Sequence, residues 1–398
     1  MFTSLDCFNK EETLIALELP LKLISTARKQ LSSFVPSLKG SSPIFPCPSN
    51  QQAKMMLIQP TSTATPNTSI NSVTPDEVKS FCSQHNIKTS FHVITRTYPD
   101  LTAAEALRAY LPPDVDGPSS YEQAGHLIHL NLLSAHIPFK HEIGQIFLDK
   151  LKNVKTVVNK SSSISNQFRV FPMEVIAGVH DTNVSLLENN CRFEFDYEQV
   201  YWNSRLQIEH KRMIDSIVST STSSTRVADV FCGIGPFSVP LAKNDVFVYA
   251  NDLNPKSVEY LQNNFAINKI NSAKFEISNI DGSDFIRSMI SKDVVPHHFI
   301  MNLPALAVDF LHVFSEGDCE KLKNSIIHVY SFSRGQDPCD DVINQITEIF
   351  RTKEITIEVV NGTIVRDVAP NKRMVRVDFK ISGKFVNNEP CLKCPRVE

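Results

Sequence analysis

A glycine turn followed by a carboxylate at a characteristic distance is the first feature of this chain that could hold a ligand. The apolar residues 227–231 predict a buried strand, and Gly233 and Gly235 let the backbone turn sharply after it. A second apolar run, residues 246–250, is followed by Asp252. This acid lies about 20 residues after the glycines, the spacing at which a carboxylate reaches ribose hydroxyls in a nucleoside-binding β-α-β unit. We therefore expect a nucleoside site here.

What this turn lacks narrows the choice of ligand. The third glycine of G-x-G-x-x-G is missing, position 236 is a proline without an N–H, and no Gly-Lys-Ser/Thr follows. A pyrophosphate cradle is therefore disfavoured, and a nucleoside without phosphates, such as S-adenosylmethionine, fits better. The alternative is an ordinary β-α-β crossover with a glycine turn.

Further polar residues follow the next two predicted strands of this region. Asp281 and Gly282 come after the third strand, and Asn302 comes at the end of the fourth. Because ligands bind at the carboxyl ends of parallel strands, we expect these residues to meet near the glycine turn. The Asp281 carboxylate can accept from an adenine amine, and the Asn302 amide can orient a planar substrate. The alternative for each residue alone is an ordinary turn position, at which the side chain hydrogen-bonds to nearby backbone groups.

Strands and helices alternate from residue 227 onward. Two strands predicted at residues 355–360 and 374–381 end the series as an antiparallel pair. The pattern predicts an α/β fold with a mostly parallel seven-stranded sheet, preceded by two smaller α+β domains. The predicted domains are residues 1–120, 121–218 and 219–398. In the first of them, helical spacing predicts a helix over residues 19–34, and a Ser/Thr/Pro/Asn-rich stretch predicts a disordered loop near residues 59–76.

Composition bounds the class of protein and its partners. The 398 residues are 42% hydrophobic and carry a formal net charge of −3, and the chain has no apolar run of the roughly 20 residues that a membrane span needs. Early acids and the lack of an apolar signal core disfavour secretion, and nine scattered cysteines suit a reducing compartment. A local excess of Lys and Arg over residues 136–169 could meet phosphates.

Several stretches together resemble the eukaryotic and archaeal tRNA (guanine-37 N1)-methyltransferase family. The most specific are Val-Tyr-Trp-Asn-x-Arg-Leu at residues 200–206 and Asn-Leu-Pro at residues 302–304. The likeness extends over residues 125–150, 157–178, 188–209, 229–243, 251–255, 279–285, 301–304, 328–334 and 365–373. The resemblance implies a class I (Rossmann-like) methyltransferase fold, S-adenosylmethionine as donor, and a guanine beside the tRNA anticodon as acceptor. It also implies that the middle domain supplies catalytic residues and that the N-terminal domain helps to recognise the tRNA body.

The resemblance also assigns roles to individual residues. Guanine N1 carries a proton and is a poor nucleophile, so its methylation needs a base for that proton and a donor or cation for charge on O6. Glu209 matches the family's general base, Arg169 the residue that stabilises O6, and Asn302 the group that positions guanine. The residues expected to bind the methyl donor are Tyr201, Arg205, Glu209, Phe231, Gly233, Gly235, Asp252, Leu253, Asp281, Gly282 and Asn302. No metal is expected, because methyl transfer is an in-line displacement.

Three residues depart from the family pattern, and other functions stay open. Ser204 stands at a common proline, His210 at a common small polar residue or arginine, and Cys232 at a common alanine. One alternative is an aminocarboxypropyl transferase of the wybutosine pathway on the same fold, and another is a non-catalytic RNA-binding relative. The expected partner is tRNA, contacted at its anticodon loop and body, with no membrane involved. We expect a monomer in the cytoplasm and nucleus, with the mitochondrial matrix open as a further location.

Overall fold

The computed structural model describes residues 5–36, 38, 42–63, 68–160, 172–292, 295–316 and 319–384. By its internal contacts the chain divides into two compact units. One comprises residues 1–119 and 132–152, and the other comprises residues 120–131 and 153–398. The three-domain division with boundaries at residues 120 and 218 stays a prediction.

The first unit is a four-stranded antiparallel sheet with short helices. Its strands are β1 (Lys10–Pro20), β2 (Ile44–Pro46), β3 (Ala53–Ile58) and β4 (Lys88–Arg96), in the order β2-β3-β1-β4. Its helices are α1 (Ile24–Gln30), α2 (Ile70–Val73), α3 (Asp76–His85), α4 (Ala103–Tyr110) and α5 (Lys140–Lys150). Thr102 caps α4, where its hydroxyl oxygen accepts the Glu105 N–H at 3.2 Å.

Two predictions for this unit differ from the structure. The helix predicted over residues 19–34 is wrong at its start, because β1 continues to Pro20 and pairs with both β3 and β4. Only residues 24–30 form an α-helix there. The stretch predicted as a loop, residues 59–76, contains the short helix α2, and its residues 64–67 lie outside the described part of the chain.

The second unit begins with a small mixed sheet and a hairpin. The strands β5 (Glu122–Ala124), β6 (Leu127–Leu130), β7 (Thr156–Lys160) and β8 (Met173–Gly178) form the sheet in that order. The hairpin consists of β9 (Asn183–Glu188) and β10 (Cys191–Asp196). A short 3-10 helix, Ser204–Leu206, then leads into α6 (Gln207–Thr220), and the Asn203 carboxamide oxygen accepts the Arg205 N–H at its start.

The larger sheet of this unit has seven strands in the order β13-β12-β11-β14-β15-β17-β16. The strands are β11 (Arg226–Asp229), β12 (Phe247–Asn251), β13 (Phe275–Ser278), β14 (His298–Met301), β15 (Ile326–Ser333), β16 (Ile355–Ala369) and β17 (Lys372–Lys384). The helices are α7 (Ser238–Lys243), α8 (Pro255–Ile267), α9 (Gly282–Ser291) and α10 (Pro338–Arg351). Strands β11 to β15 are parallel, while β17 runs antiparallel to β15 and to β16. The predicted mostly parallel seven-stranded sheet is confirmed.

The strand order of this sheet fixes where a ligand can bind. The chain moves from β11 outward through β12 to β13, and then returns to the other side of β11 at β14. Ligands of such sheets bind outside the carboxyl ends of the strands at this reversal.

Apolar side chains cover both faces of the sheet: Val227 and Val248 belong to one buried cluster, and Ala228 and Phe299 to the other. Among the helices of the described residues, none combines the length and apolarity needed to cross a membrane.

Candidate active site

A cavity of about 380 Å³ lies at the carboxyl ends of β11, β12, β13 and β14, and we call it the rim cavity. Eight of the residues predicted from the sequence line it: Tyr201, Phe231, Gly233, Asp252, Leu253, Asp281, Gly282 and Asn302. Gly235, Arg205 and Glu209 do not line it. Arg169 lies outside the described residues, so its predicted role stays a prediction.

The two glycines of the turn do different things. Both have positive φ, +55° at Gly233 and +94° at Gly235, a region that side chains with a Cβ rarely adopt. A Cβ on Gly233 would meet nothing within 4 Å, so this residue leaves room in the rim cavity. A Cβ on Gly235 would lie 2.5 Å from Leu261 Cδ1 and 2.8 Å from Val239 Cγ2. Gly235 therefore permits close packing of α7 and α8 beneath the turn.

Asp252 is bonded to the glycine turn itself. Its Oδ2 accepts the Gly233 N–H at 2.9 Å, and its Oδ1 accepts the Asn254 N–H at 2.9 Å. Burial raises the pKa of this carboxyl above its ordinary value. Each carboxylate oxygen can accept more than one hydrogen bond, so the acid can still bind a ribose diol.

Two phenyl rings pack against the start of α9 in the wall of the rim cavity. The Asp281 Oδ1 accepts the Ser283 N–H at 2.8 Å and so caps this helix. A Cβ on Gly282 would lie 2.7 Å from Phe231 Cε1 and 3.1 Å from Phe310 Cε1. The centroids of these two phenyl rings are 5.0 Å apart, and both residues line the rim cavity. The aromatic wall beside Asp281 thus depends on a glycine at position 282.

Asn302 presents an unpaired acceptor in the wall of the rim cavity. Its Oδ1 is buried and has no hydrogen-bond partner among the described residues. A buried acceptor without a partner costs about 1–3 kcal/mol, so its position in a ligand cavity indicates an N–H or O–H donor on the ligand. The N–H groups of a guanine edge are donors of this kind.

Two further residues of the rim cavity are not among those expected to bind the methyl donor. The buried Trp202 Nε1 and His210 Nε2 have no hydrogen-bond partner among the described residues. The other imidazole nitrogen, His210 Nδ1, is 2.6 Å from Glu188 Oε1. In the sequence, His210 is a departure from the family pattern, and Trp202 belongs to the Val-Tyr-Trp-Asn-x-Arg-Leu motif. The indole does pack in the core, with its centroid 5.3 Å from that of Phe195. No local sequence signal shows that these nitrogens lack partners.

Glu209 is buried inside a network of hydrogen bonds, with 4% of its surface exposed. Its Oε1 accepts from the Tyr330 hydroxyl at 3.0 Å and from the Arg376 guanidinium, and its Oε2 accepts from Arg212 at 3.1 Å. Burial raises the pKa of Tyr330 well above its ordinary value, so this hydroxyl remains a donor. Arg205 does not take part in this network, and its Nε lies 3.4 Å from Glu122 Oε1. The structure therefore brings Glu209 together with Arg376 rather than with the wall of the rim cavity.

A buried carboxyl supports the glycine turn from below. Asp229 is the last residue of β11 and fully buried, and its Oδ2 accepts the Ser238 hydroxyl at 2.6 Å. Burial raises the pKa of Asp229 to about 7.

In the part of the chain that the structure describes, no group of three or more His, Cys, Asp or Glu side chains is arranged to hold a metal ion.

Comparison with known proteins identifies the family of this site. A family model described as the TRM5/TYW2 methyltransferase domain matches residues 185–360, and one described as the TYW2 N-terminal domain matches residues 103–182. A Dictyostelium discoideum tRNA (guanine(37)-N(1))-methyltransferase is 36% identical over 385 residues, which cover 94% of this chain and 81% of that protein. A Phytophthora infestans protein of the same name is 37% identical over 379 residues, which cover 94% of this chain and 90% of that protein.

The chain belongs to the tRNA (guanine(37)-N(1))-methyltransferase family. Among solved structures, Trm5b from Pyrococcus abyssi superposes with a TM-score of 0.64 at 24% identity, covering 92% of this chain and 99% of that one. This likeness confirms the class I methyltransferase fold. As a member of this methyltransferase family, the enzyme uses S-adenosylmethionine as its methyl donor. The rim cavity fits that donor, since it combines Asp252, an aromatic wall and unpaired polar atoms.

Proposed function

We propose that this enzyme transfers a methyl group from S-adenosylmethionine to N1 of guanine 37, beside the anticodon of tRNA. The observation that carries the proposal is the unpaired, buried Asn302 Oδ1 in the wall of the rim cavity. Relatives that match 94% of the chain bear the name of this activity. Asn302 would accept from the guanine edge and hold the base against the donor.

The reaction requires the removal of one proton from guanine. When bound, S-adenosylmethionine supplies an electrophilic methyl group on a positively charged sulfur. Guanine N1 attacks that carbon, the sulfur keeps the electron pair of the broken bond, and the N1 proton passes to a base. Because N1 lies on the Watson–Crick edge, the guanine must first leave its stack in the anticodon loop.

Glu209 is the base that we propose for this proton. Its carboxylate is bound to Arg376 and Tyr330 and does not line the rim cavity. In this role the side chain must exchange those contacts for guanine N1–H when tRNA binds. Catalytic hydrogen bonds are often completed only in the substrate complex, which is consistent with such an exchange.

The remaining roles rest on the sequence. We propose that Arg169 stabilises the charge that builds on guanine O6, because a guanidinium stays cationic and offers several donors. Tyr201 and Arg205 are proposed to position the donor or the target base. Tyr201 is 42% exposed at the wall of the rim cavity, where a base could reach it.

A second candidate function is aminocarboxypropyl transfer from the same donor. The match of residues 103–182 to a domain named for TYW2 favours it. The two reactions break different bonds to the donor sulfur, so their by-products differ. Methyl transfer yields S-adenosylhomocysteine, whereas aminocarboxypropyl transfer yields methylthioadenosine.

The test is to incubate the full-length protein with unmodified tRNA and S-adenosylmethionine and to identify the by-product by liquid chromatography. We expect S-adenosylhomocysteine in amounts equal to the methyl groups found in the tRNA. Methylthioadenosine would support the second candidate. A protein that binds tRNA but forms neither product would be a non-catalytic relative, and the proposal would be wrong.

We also propose that the enzyme works as a monomer in the cytoplasm and nucleus. Free thiols suit a reducing compartment, and the six cysteines whose side chains the structure describes are unbridged. Light scattering of the purified protein tests the monomer, and cell fractionation tests the location, including the mitochondrial matrix. A dimer mass, or recovery with secreted proteins, would contradict these proposals.

A further inference from the structure

A second cleft, of about 730 Å³, lies beside the rim cavity, and we call it the hairpin cleft. Residues 333–336, at the end of β15 and just after it, form one side, and residues 367–373, around the turn between β16 and β17, form the other. We propose that the hairpin cleft binds backbone phosphates of the anticodon loop next to the target guanine. The inference rests on the proposed function, in that tRNA is the substrate.

The lining of the hairpin cleft is cationic. Arg334, Lys372 and Arg373 line it, together with a single carboxylate, that of Asp367. The Arg373 Nε is 3.1 Å from Asp367 Oδ1, so this one acid is paired within the cleft. The other two cations give the cleft a local excess of positive charge, in a chain whose formal net charge is −3. Phosphate groups are attracted to such an excess irrespective of base sequence.

The two unpaired cations are held in different ways. The Lys372 Nζ lies 4.1 Å from the centroid of the Phe332 ring, a cation–π contact that fixes the ammonium without neutralising it. The Arg334 side chain is exposed and has no hydrogen-bond or ion-pair partner among the described residues. Its planar fork of donors matches the geometry of a phosphate. Both cations are therefore available to an anion from solvent.

Acidic residues at the start of α10 lie near the hairpin cleft but do not line it. Asp337 caps that helix by accepting the N–H groups of Cys339 and Asp340. Asp341 accepts from the Ser333 hydroxyl and from Gln345. The carboxylates of Asp337 and Asp341 are thus engaged within the protein, and the charged residues that line the cleft remain three cations and the single acid Asp367.

The position of the hairpin cleft indicates which part of the RNA it meets. Val368 lines both the hairpin cleft and the rim cavity. Phe332, which carries Lys372 above its ring, also lines the rim cavity. In this proposal an RNA strand with one base in the rim cavity runs along the shared wall, so that its neighbouring phosphates reach Arg334 and Lys372. Because the contact is to the backbone, it adds affinity without reading sequence.

The test compares the binding of two RNAs, full-length tRNA and a stem–loop that contains only the anticodon arm. We expect the double variant Arg334→Ala/Lys372→Ala to bind both RNAs about tenfold more weakly at 0.1 M salt. The slope of log Kd against log salt concentration should fall by roughly 0.7 for each lost contact to single-stranded RNA. Arg334→Lys/Lys372→Arg, which keeps both charges, should restore most of the affinity and the salt slope.

The control is Arg351→Ala, which removes an exposed cation at the carboxyl end of α10, roughly 20 Å along the helix from its start next to the cleft. This variant should bind RNA as the wild type does. All variants should have the thermal unfolding midpoint of the wild type and its affinity for S-adenosylhomocysteine. The inference is overturned if the double variant matches Arg351→Ala in affinity and salt slope, or if only full-length tRNA binds more weakly. Failure of the proposed reaction would appear separately, as a wild-type protein that binds tRNA without methylating it.

Discussion

The polar side chains of the rim cavity divide into those that are already hydrogen-bonded within the protein and those that are not. Asp252 has both oxygens bonded to backbone N–H groups, which fixes its orientation before any ligand arrives. Asn302 Oδ1, Trp202 Nε1 and His210 Nε2 are buried without partners among the described residues. Leaving such atoms unpaired destabilises the free protein, so these three are the places where we expect polar groups of donor or guanine to bind.

Replacing Asn302 by Ala should lower kcat/KM for tRNA by about 10²–10³-fold, because it removes the proposed contact to the guanine edge. Donor affinity should change much less. Steady-state kinetics and calorimetry with S-adenosylhomocysteine separate the two effects. Asn302→Asp, which keeps an acceptor oxygen, should retain more activity than Asn302→Ala. Equal loss in both variants would argue against an acceptor role for Oδ1.

Glu209 has a structural role that must be separated from its proposed catalytic role. Replacing Arg376 by Leu leaves the buried Glu209 carboxylate without its guanidinium partner and should lower the free energy of unfolding by about 3–5 kcal/mol. The loss should be smaller in a Glu209→Gln background, because the buried charge is then absent. Urea denaturation of the four proteins of this cycle gives the coupling energy. Additive losses would show that the ion pair does not stabilise the fold.

Glu209→Gln should also reduce turnover by about 10²–10⁴-fold, since glutamine cannot accept the N1 proton. Donor affinity should be unchanged. Arg212→Ala is the control, because Arg212 also donates to Glu209 but from an exposed position on α6. Turnover of Glu209→Gln equal to that of the wild type would remove it as the base.

At the scale of elements, the site is built by the ends of β11, β12, β13 and β14, and this much could be predicted. Each strand ends at a Gly, Asp or Asn or is followed by one within four residues, and the spacing after Gly233 placed Asp252 at this site. The hydrogen bond from the Gly233 N–H to Asp252 was not predicted. The environment of Glu209 could not be predicted. Its partner Arg376 is 167 residues away in sequence, and nothing local in a predicted strand shows what its polar residues face across the sheet.

The first unit shows the same limit. Residues 19–34 have helical spacing, yet residues 10–20 form β1 because they pair with β3 and β4. Such pairing depends on partners distant in sequence, and local propensity does not reveal it. By contrast, the cap that Thr102 and Glu105 form at the start of α4 joins residues only three positions apart, so it depends on local sequence alone.

The two glycines of the turn provide an element-scale prediction. Both Gly233→Ala and Gly235→Ala are strained by positive φ, but only the second places a Cβ 2.5 Å from Leu261. Gly235→Ala should therefore lower the free energy of unfolding more, by about 1–3 kcal/mol beyond Gly233→Ala. Gly233→Ala should weaken donor binding more than it weakens the fold. Denaturation and calorimetry on both variants check this, and a larger stability loss at Gly233 would contradict it.

At the scale of the whole molecule, Asp229 links stability to pH. Its pKa is about 7 in the folded protein against an ordinary value of 3.8. Between these values the unfolded chain has released this proton while the folded protein keeps it, so this residue makes stability fall as pH rises and then level off above about pH 7. Asp229→Asn removes the effect. The free energy of unfolding of the variant, relative to that of the wild type, should therefore increase as pH rises from about 5 to about 7. Parallel stability curves for the two proteins would contradict the assignment.

The rim cavity and the hairpin cleft belong to the same unit, whereas residues 1–120 are the part expected to help recognise the tRNA body. We expect methyl transfer to a single nucleotide, because the target base must enter the rim cavity while its backbone lies along the shared wall. Methylation should therefore occur at a single guanine in each tRNA.

The most direct measurement is to map the methyl group in tRNA by mass spectrometry of nuclease fragments after incubation with S-adenosylmethionine. We predict one N1-methylguanosine per tRNA, at position 37, and no product with a transcript in which adenine replaces that guanine. A methyl group at another position or on another guanine atom, or an unmodified guanine 37 in tRNA that the protein binds, would contradict the account.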